Sequence, residues 1–199
     1  AYAAAVARKT LGEMPDKVVV EASGSIIKNV KSVIVPNTGH LKGINAAAAA
    51  GIVAGDPDKK LEVIATVSQE QIRQMKQFME EVPIQVVHME DGCTFDIIVT
   101  VFSGKSYAKV RIANFHTNIV LIEKNGEVLK SEAVSDDSEE GLTDRTLLDM
   151  EHIWDFAMTA DIDDVKALLD QQVAFNVAIA EEGIKNDYGA NIGKVLLDM

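Results

Sequence analysis

The chain of 199 residues has one cysteine, Cys93, so it can form no internal disulfide framework and offers no thiolate-rich metal cage. That scarcity fits a reducing cytoplasm. It also lacks a long hydrophobic run. Its most apolar stretch, residues 44–54, is short and dominated by alanine, well below the ~20 residues a membrane helix needs. Basic residues are few as well: 19 Lys and Arg against 31 Asp and Glu, a formal charge of −12. Binding to polyanions requires clustered cations that displace counterions, so nucleic acid is a poor fit as a partner. Metal-ligand pairs at helical or knuckle spacing are absent too.

Much of the acidity is local. From Glu132 to Asp164 there are twelve acidic residues and one basic residue, Arg145. Within that span, residues 135–141 contain no apolar side chain at all. Such a run cannot offset its ordering entropy by burial, and it reads as a solvated linker. Its spacing is not that of a calcium loop, which ends on a bidentate glutamate. The expected organisation is a domain over 1–132, a linker over 133–145 and a helical segment over 146–199.

Periodicity assigns the elements. Residues 17–21 and 61–67 read as strands by β-branched content, and 25–35 as a weaker one. The alanine-rich stretch 41–54 is helical by propensity. Ser68 and Gln71 have the spacing of a capping box, opening a helix with Ile72, Met75, Phe78 and Met79 on one face. Residues 84–89, 95–102, 107–112 and 119–123 are strands, punctuated by Ser103-Gly104-Lys105 and by Asn125-Gly126, the pair a type I′ hairpin turn demands. Consecutive hairpins preceded by helices predict an α+β fold with an antiparallel sheet and packed helices. Beyond the linker only helices are predicted: one around Leu147 to Phe156, a longer one after Asp161 ending near Gly183, and a third near Gly189. This half has too few apolar residues for a large core of its own. Both chain ends read as helix interiors, and the expectation is a piece of a longer polypeptide.

Histidines are the main candidates for chemistry. His116 lies in Asn114-Phe115-His116-Thr117-Asn118, where three adjacent polar side chains open an apolar strand. Two readings stay open for His116, Thr117 and Asn118: they bind a small polar ligand at a sheet rim, or they satisfy strand-end backbone groups. His40 sits in a Gly-punctuated loop entering the alanine-rich helix, where an anion could dock at the helix start, or where the turn is merely capped. That loop matches neither a phosphate-binding loop nor a dinucleotide fingerprint. His88 and His152 read as ordinary half-exposed residues. Cys93 has Glu90, Asp91 and Asp96 nearby, which disfavour a thiolate, so a buried structural cysteine is expected rather than a nucleophile.

Several motifs occur in the order found in one family. Lys28-Asn29, Val35-Pro36, Thr38-Gly39, Gly43 and the alanine-rich run to Gly51 resemble the N-terminal region of L-cysteine desulfidases, relatives of the iron–sulfur L-serine dehydratases. His116-Thr117-Asn118-Ile119 resembles their His-Thr-Asn-Ile signature, and Asn176, Ala178, Glu182-Gly183, Gly189 and Gly193 match a later helical segment. The chain departs from the pattern at Asn37, where glycine is common. The resemblance implies β-elimination from L-cysteine or L-serine, with a [4Fe–4S] cluster to polarise the leaving group. One cysteine cannot hold such a cluster, so the resemblance places the cluster ligands outside this chain and implies that the chain by itself is inactive. It also implies that His116 transfers a proton, that Thr117 and Asn118 orient the substrate, and that Lys28, Asn29, Thr38 and Gly39 bind its carboxylate. A binding or regulatory α+β module without catalysis is the alternative. A homo-oligomer is a further expectation, because truncated amphipathic helices leave apolar faces open.

Overall fold

The computed structural model describes residues 1–134, 147–188 and 190–199. The acidic run at 135–141 and Gly189 therefore lie outside the described residues. The chain divides into two units, Ala1–Gly141 and Leu142–Met199.

The first unit is α+β, as the hairpin pattern predicts. Its six strands are β1 (Lys17–Ser23), β2 (Ile84–Met89), β3 (Asp96–Ser103), β4 (Ser106–Ala113), β5 (Ile119–Lys124) and β6 (Glu127–Ser131), in the sheet order β2-β1-β3-β4-β5-β6. The last four strands are antiparallel neighbours. Their tight turns rest on residues that accept positive φ: Gly104 at 54°, and Asn125 and Gly126 at 51° and 86°. β1 is antiparallel to β3 but parallel to β2. A parallel pair needs a crossover, and here that crossover carries three helices: α2 (Gly24–Val30), α3 (Gly43–Ala54) and α4 (Gln69–Glu81).

One face of the sheet holds the core. Val18, Val20 and Ala22 of β1 alternate inward beside Val99 and Val101 of β3 and Ala108, Val110 and Ile112 of β4. The register sets Val20 opposite Val99, and Val99 opposite Val110. Over this face lie α1 (Tyr2–Leu11) and α3, which meet through alanines: Ala3, Ala4 and Ala7 on one, Ala48 and Ala49 on the other, all buried. Small side chains let two helices approach each other and the sheet closely, so alanine here serves packing as well as helix propensity. α4 packs on α3 through Met75 and starts with the predicted capping box, the Ser68 hydroxyl accepting from the Gln71 amide at 3.2 Å and the Gln71 side chain accepting from the Ser68 amide at 2.9 Å.

Two strand expectations are overturned. Residues 25–35 contain α2 rather than a strand, because Ile26, Ile27 and Val30 share a helical face as well as they alternate. Residues 61 and 62 close a 3₁₀ segment, Pro57–Glu62, started by Pro57 and by the Asp56 carboxylate, which accepts from the Asp58 amide at 3.1 Å, and 63–67 follow it without forming a strand. Of the β-branched residues after it, Val63 is buried, and Ile64 and Val67 pack partly buried on the cluster of Ala46, Ala50 and Met75 instead of joining a sheet.

In the second unit, α5 (Met150–Thr159), α6 (Ile162–Lys185) and α7 (Ile192–Leu197) agree with the predicted helices, with Asp149 and Asp161 as side-chain caps of the first two. No described residue of these helices is buried. Among the described residues no helix is long and apolar enough to cross a membrane.

Candidate functional site

The helix-covered side of the sheet carries a half-open cavity of about 590 Å³. Val20 and Ala22, Ile97 and Val99, and Ile112 form its sheet wall. α1, α2 and α3 contribute Tyr2, Ile26, Val30 and Ile44, and the segment 60–65 closes one side. The lining is mostly apolar. Tyr2, Asn37, Lys60, Glu62 and His116 are its polar side chains.

His116 is held in a short loop between β4 and β5. Asn114 enters at φ 66°, its amide donating to the Phe95 carbonyl at 2.8 Å. The Ala113 amide donates to the Asn118 carbonyl at 3.1 Å, and the Asn118 side-chain amide donates to the Ala113 carbonyl, also at 3.1 Å. Asn118 is thereby engaged in closing the loop, the backbone-satisfying role. Thr117 is exposed beside it. The His116 ring lies 4.4 Å from that of Phe95, tilted by 47°, and is exposed at the cavity rim.

The other predicted residues stand around the cavity rather than in it. Lys28 and Asn29 are exposed on α2, while Ile26 and Val30 of the same helix line the wall. Thr38 is fully buried and donates to the Val35 carbonyl at 2.7 Å, stitching the turn that precedes α3. Gly39 follows at φ 66°, where a Cβ would come within 3.1 Å of Ile72. Of the seven, only His116 lines the cavity. Beside Thr38, Asn37 also lines the cavity, a position the sequence marks only by its departure from glycine. Asn37 has φ 60°, which asparagine tolerates, and its amide donates to the carbonyls of Ile64 at 3.0 Å and Ala65 at 3.3 Å. Lys60 and Glu62 were also missed, since they adjoin or lie in a segment read as a strand. The Asp-Pro-Asp turn signal at 56–58 was the available warning.

His40 is exposed at φ 69° in a loop closed by backbone bonds, the Val35 amide to the Leu41 carbonyl at 2.8 Å and the Gly43 amide to the Val33 carbonyl at 3.0 Å. It lies outside the first turn of α3. His88 and His152 are both exposed, the latter 2.8 Å from Asp149.

Cys93 is half-buried rather than buried. Its thiol donates to the Phe95 carbonyl at 3.0 Å and lies 3.6 Å from the Asp96 carboxylate. Asp96, fully buried, takes both prongs of Arg111 at 3.0 and 2.6 Å. That hydrogen bond holds the Arg111 guanidinium above its ordinary pKa, with burial opposing it. An iron–sulfur cluster needs several thiolates. The chain has one cysteine, and the described residues contain no group of three or more His, Cys, Asp or Glu able to hold a metal. These residues do not fit a cluster.

No family model matches the chain, and no solved structure matches it. Relatives are nonetheless plain. The chain is 53% identical over 197 residues to a UPF0597 protein of Desulfitobacterium hafniense and 42% identical over 199 residues to one of Lachnoclostridium phytofermentans. It is 42% identical over 198 residues to a UPF0597 protein of Fusobacterium nucleatum. These matches cover 99, 100 and 99% of the chain but 46, 48 and 46% of the respective relatives, so the chain spans about half their length. Along its whole length, then, this sequence is similar to UPF0597 proteins.

Proposed function

We propose that the chain forms the substrate-binding wall of a lyase that carries out β-elimination on a small amino acid, L-cysteine or L-serine. The observation that carries this is convergence. Three segments far apart in sequence bear the resemblance to desulfidases and border one cavity: the motif residues Pro36 and His116 line it directly, and α2, which carries Lys28 and Asn29 on its exposed side, lines it through Ile26 and Val30.

In the reaction a base removes the α-proton, the sulfide or hydroxide leaves the β-carbon, and the resulting aminoacrylate hydrolyses to pyruvate and ammonia. Imidazole is the commonest side chain for such proton transfer, and His116 at the rim reaches both solvent and cavity. The chain supplies no thiolate set for an iron–sulfur cluster, so by itself it binds substrate without turning it over.

A full-length UPF0597 protein, purified anaerobically and assayed with L-cysteine and L-serine, is expected to release pyruvate. Titration of the present chain with the same amino acids is expected to show binding that His116→Ala weakens about tenfold or more. The absence of both pyruvate and binding would sink the proposal. Binding without pyruvate in the full-length relative would favour a non-catalytic amino-acid-binding module, a reading that the apolar lining also supports.

A further inference from the structure

We infer that Phe95 is a positioning residue of the site, its ring setting the direction in which the His116 imidazole meets the cavity. This rests on the proposed function and names a residue through which that function depends on the fold. The first ground is what His116 lacks. It is exposed on the short loop between β4 and β5, and among the described residues no hydrogen bond or ion pair holds its ring. An imidazole in that state samples several rotamers, and fixing it at each binding event costs entropy. Phe95 supplies the ring contact, with centroids 4.4 Å apart and planes tilted by 47°. That is close enough for the packing and quadrupole attraction of an aromatic pair.

The second ground is that Phe95 is itself held. Asp96 pairs with Ala113 at the end of the β3–β4 ladder, so residues 95 and 114 follow as the next positions on each strand. The Phe95 carbonyl accepts from the Asn114 amide at 2.8 Å and from the Cys93 thiol at 3.0 Å. One residue on, the buried Asp96 carboxylate is gripped by Arg111 of β4 and accepts from the Cys93 amide at 3.3 Å. Residue 95 is thereby fixed through its own carbonyl and through the next side chain. Such supporting contacts are what keep a functional group in one geometry.

Placement is the third ground. The Phe95 ring is half-buried, packs against the core and lines the same cavity as His116, next to Ile97 and Ile112. An imidazole resting on that ring stays at the cavity edge. A ring that served only as apolar wall would touch ligand without involving His116, and the two roles differ in how substitutions combine.

The test is a double-mutant cycle on the 199-residue chain, titrated with L-cysteine and L-serine and followed by NMR of the histidine ring protons. Phe95→Leu should move the His116 ring resonances towards those of free histidine and leave those of His40, His88 and His152 in place. It should also weaken binding of both amino acids about fivefold. Phe95→Tyr, which keeps the ring, should restore resonances and binding together. In the His116→Ala background, Phe95→Leu should weaken binding no further, since its effect runs through the imidazole. If Phe95→Leu loses the native circular dichroism spectrum, Phe95→Met takes its place in the cycle. Losses that add, or His116 resonances that do not move, would overturn the positioning role and leave Phe95 as wall. If the unmodified chain binds neither amino acid, its binding role in the lyase reading falls, and the His116 resonances alone then decide the positioning role.

Discussion

Asp96 is fully buried with both carboxylate oxygens engaged by Arg111, whose side chain is 28% exposed. Removing one partner of a buried pair strands the other charge, at a cost of about 3 kcal/mol or more. Arg111→Met, which leaves the buried Asp96 carboxylate without its cation, should therefore lower the urea midpoint substantially, and adding Asp96→Ala should recover much of the loss. Full additivity of the two substitutions would show that the pair does not act as a unit. Lys60 makes the opposite case. Its φ of 50° and ψ of −108° suit glycine. Replacing it with glycine relieves a conformation that costs a non-glycine residue about 1 kcal/mol or more, so Lys60→Gly should raise stability. A fall in the unfolding midpoint would contradict the strain. His116 is exposed, and His116→Ala should change stability by less than about 1 kcal/mol. Neither the ion pair nor the strain was legible in sequence: Asp96 and Arg111 are fifteen positions apart, and nothing near Lys60 announces its φ.

Among the elements, α1 and α3 depend on small side chains where they meet. Ala49 is fully buried in that contact. Ala49→Leu forces extra methylenes into a filled space and should destabilise by about 1–3 kcal/mol, seen as a lower denaturant midpoint. An unchanged midpoint would mean that the helices part without cost. For α4, Ser68→Ala should cost about 1 kcal/mol through loss of the capping bond. That cap, the alanine-rich helix and the Asn125-Gly126 turn could all be read from a few neighbouring residues. α2 and the segment 57–62 could not, since a short apolar run is compatible with strand or helix until a neighbour chooses.

At the scale of the molecule, the apolar residues of the second unit remain exposed, Trp154 at 68% and Phe156 at 63% among them. Exposed apolar surface of this kind invites association. The 199-residue chain should show a sedimentation coefficient that rises with concentration and bind an apolar dye, and Trp154→Gln should reduce both. A monomer at every concentration would refute the expected self-association. The acidic balance predicts that the chain does not bind nucleic acid, which low-salt titration with DNA can check.

Local chemistry in the sequence determined the hairpin turns, the capping box, the alternation of β1, β3 and β4, and the helices that follow residue 146. Each depends on residues within one or two turns of each other, so their spacing carries the signal. Tertiary structure alone decided the parallel pairing of β1 with β2, the burial of Asp96 against Arg111, and the cavity that joins His116 to Asn37, Lys60 and Glu62. Those arrangements arise when the apolar faces of helices and sheet are buried together, and burial places side chains by shape across long stretches of chain, a relation that no local period records.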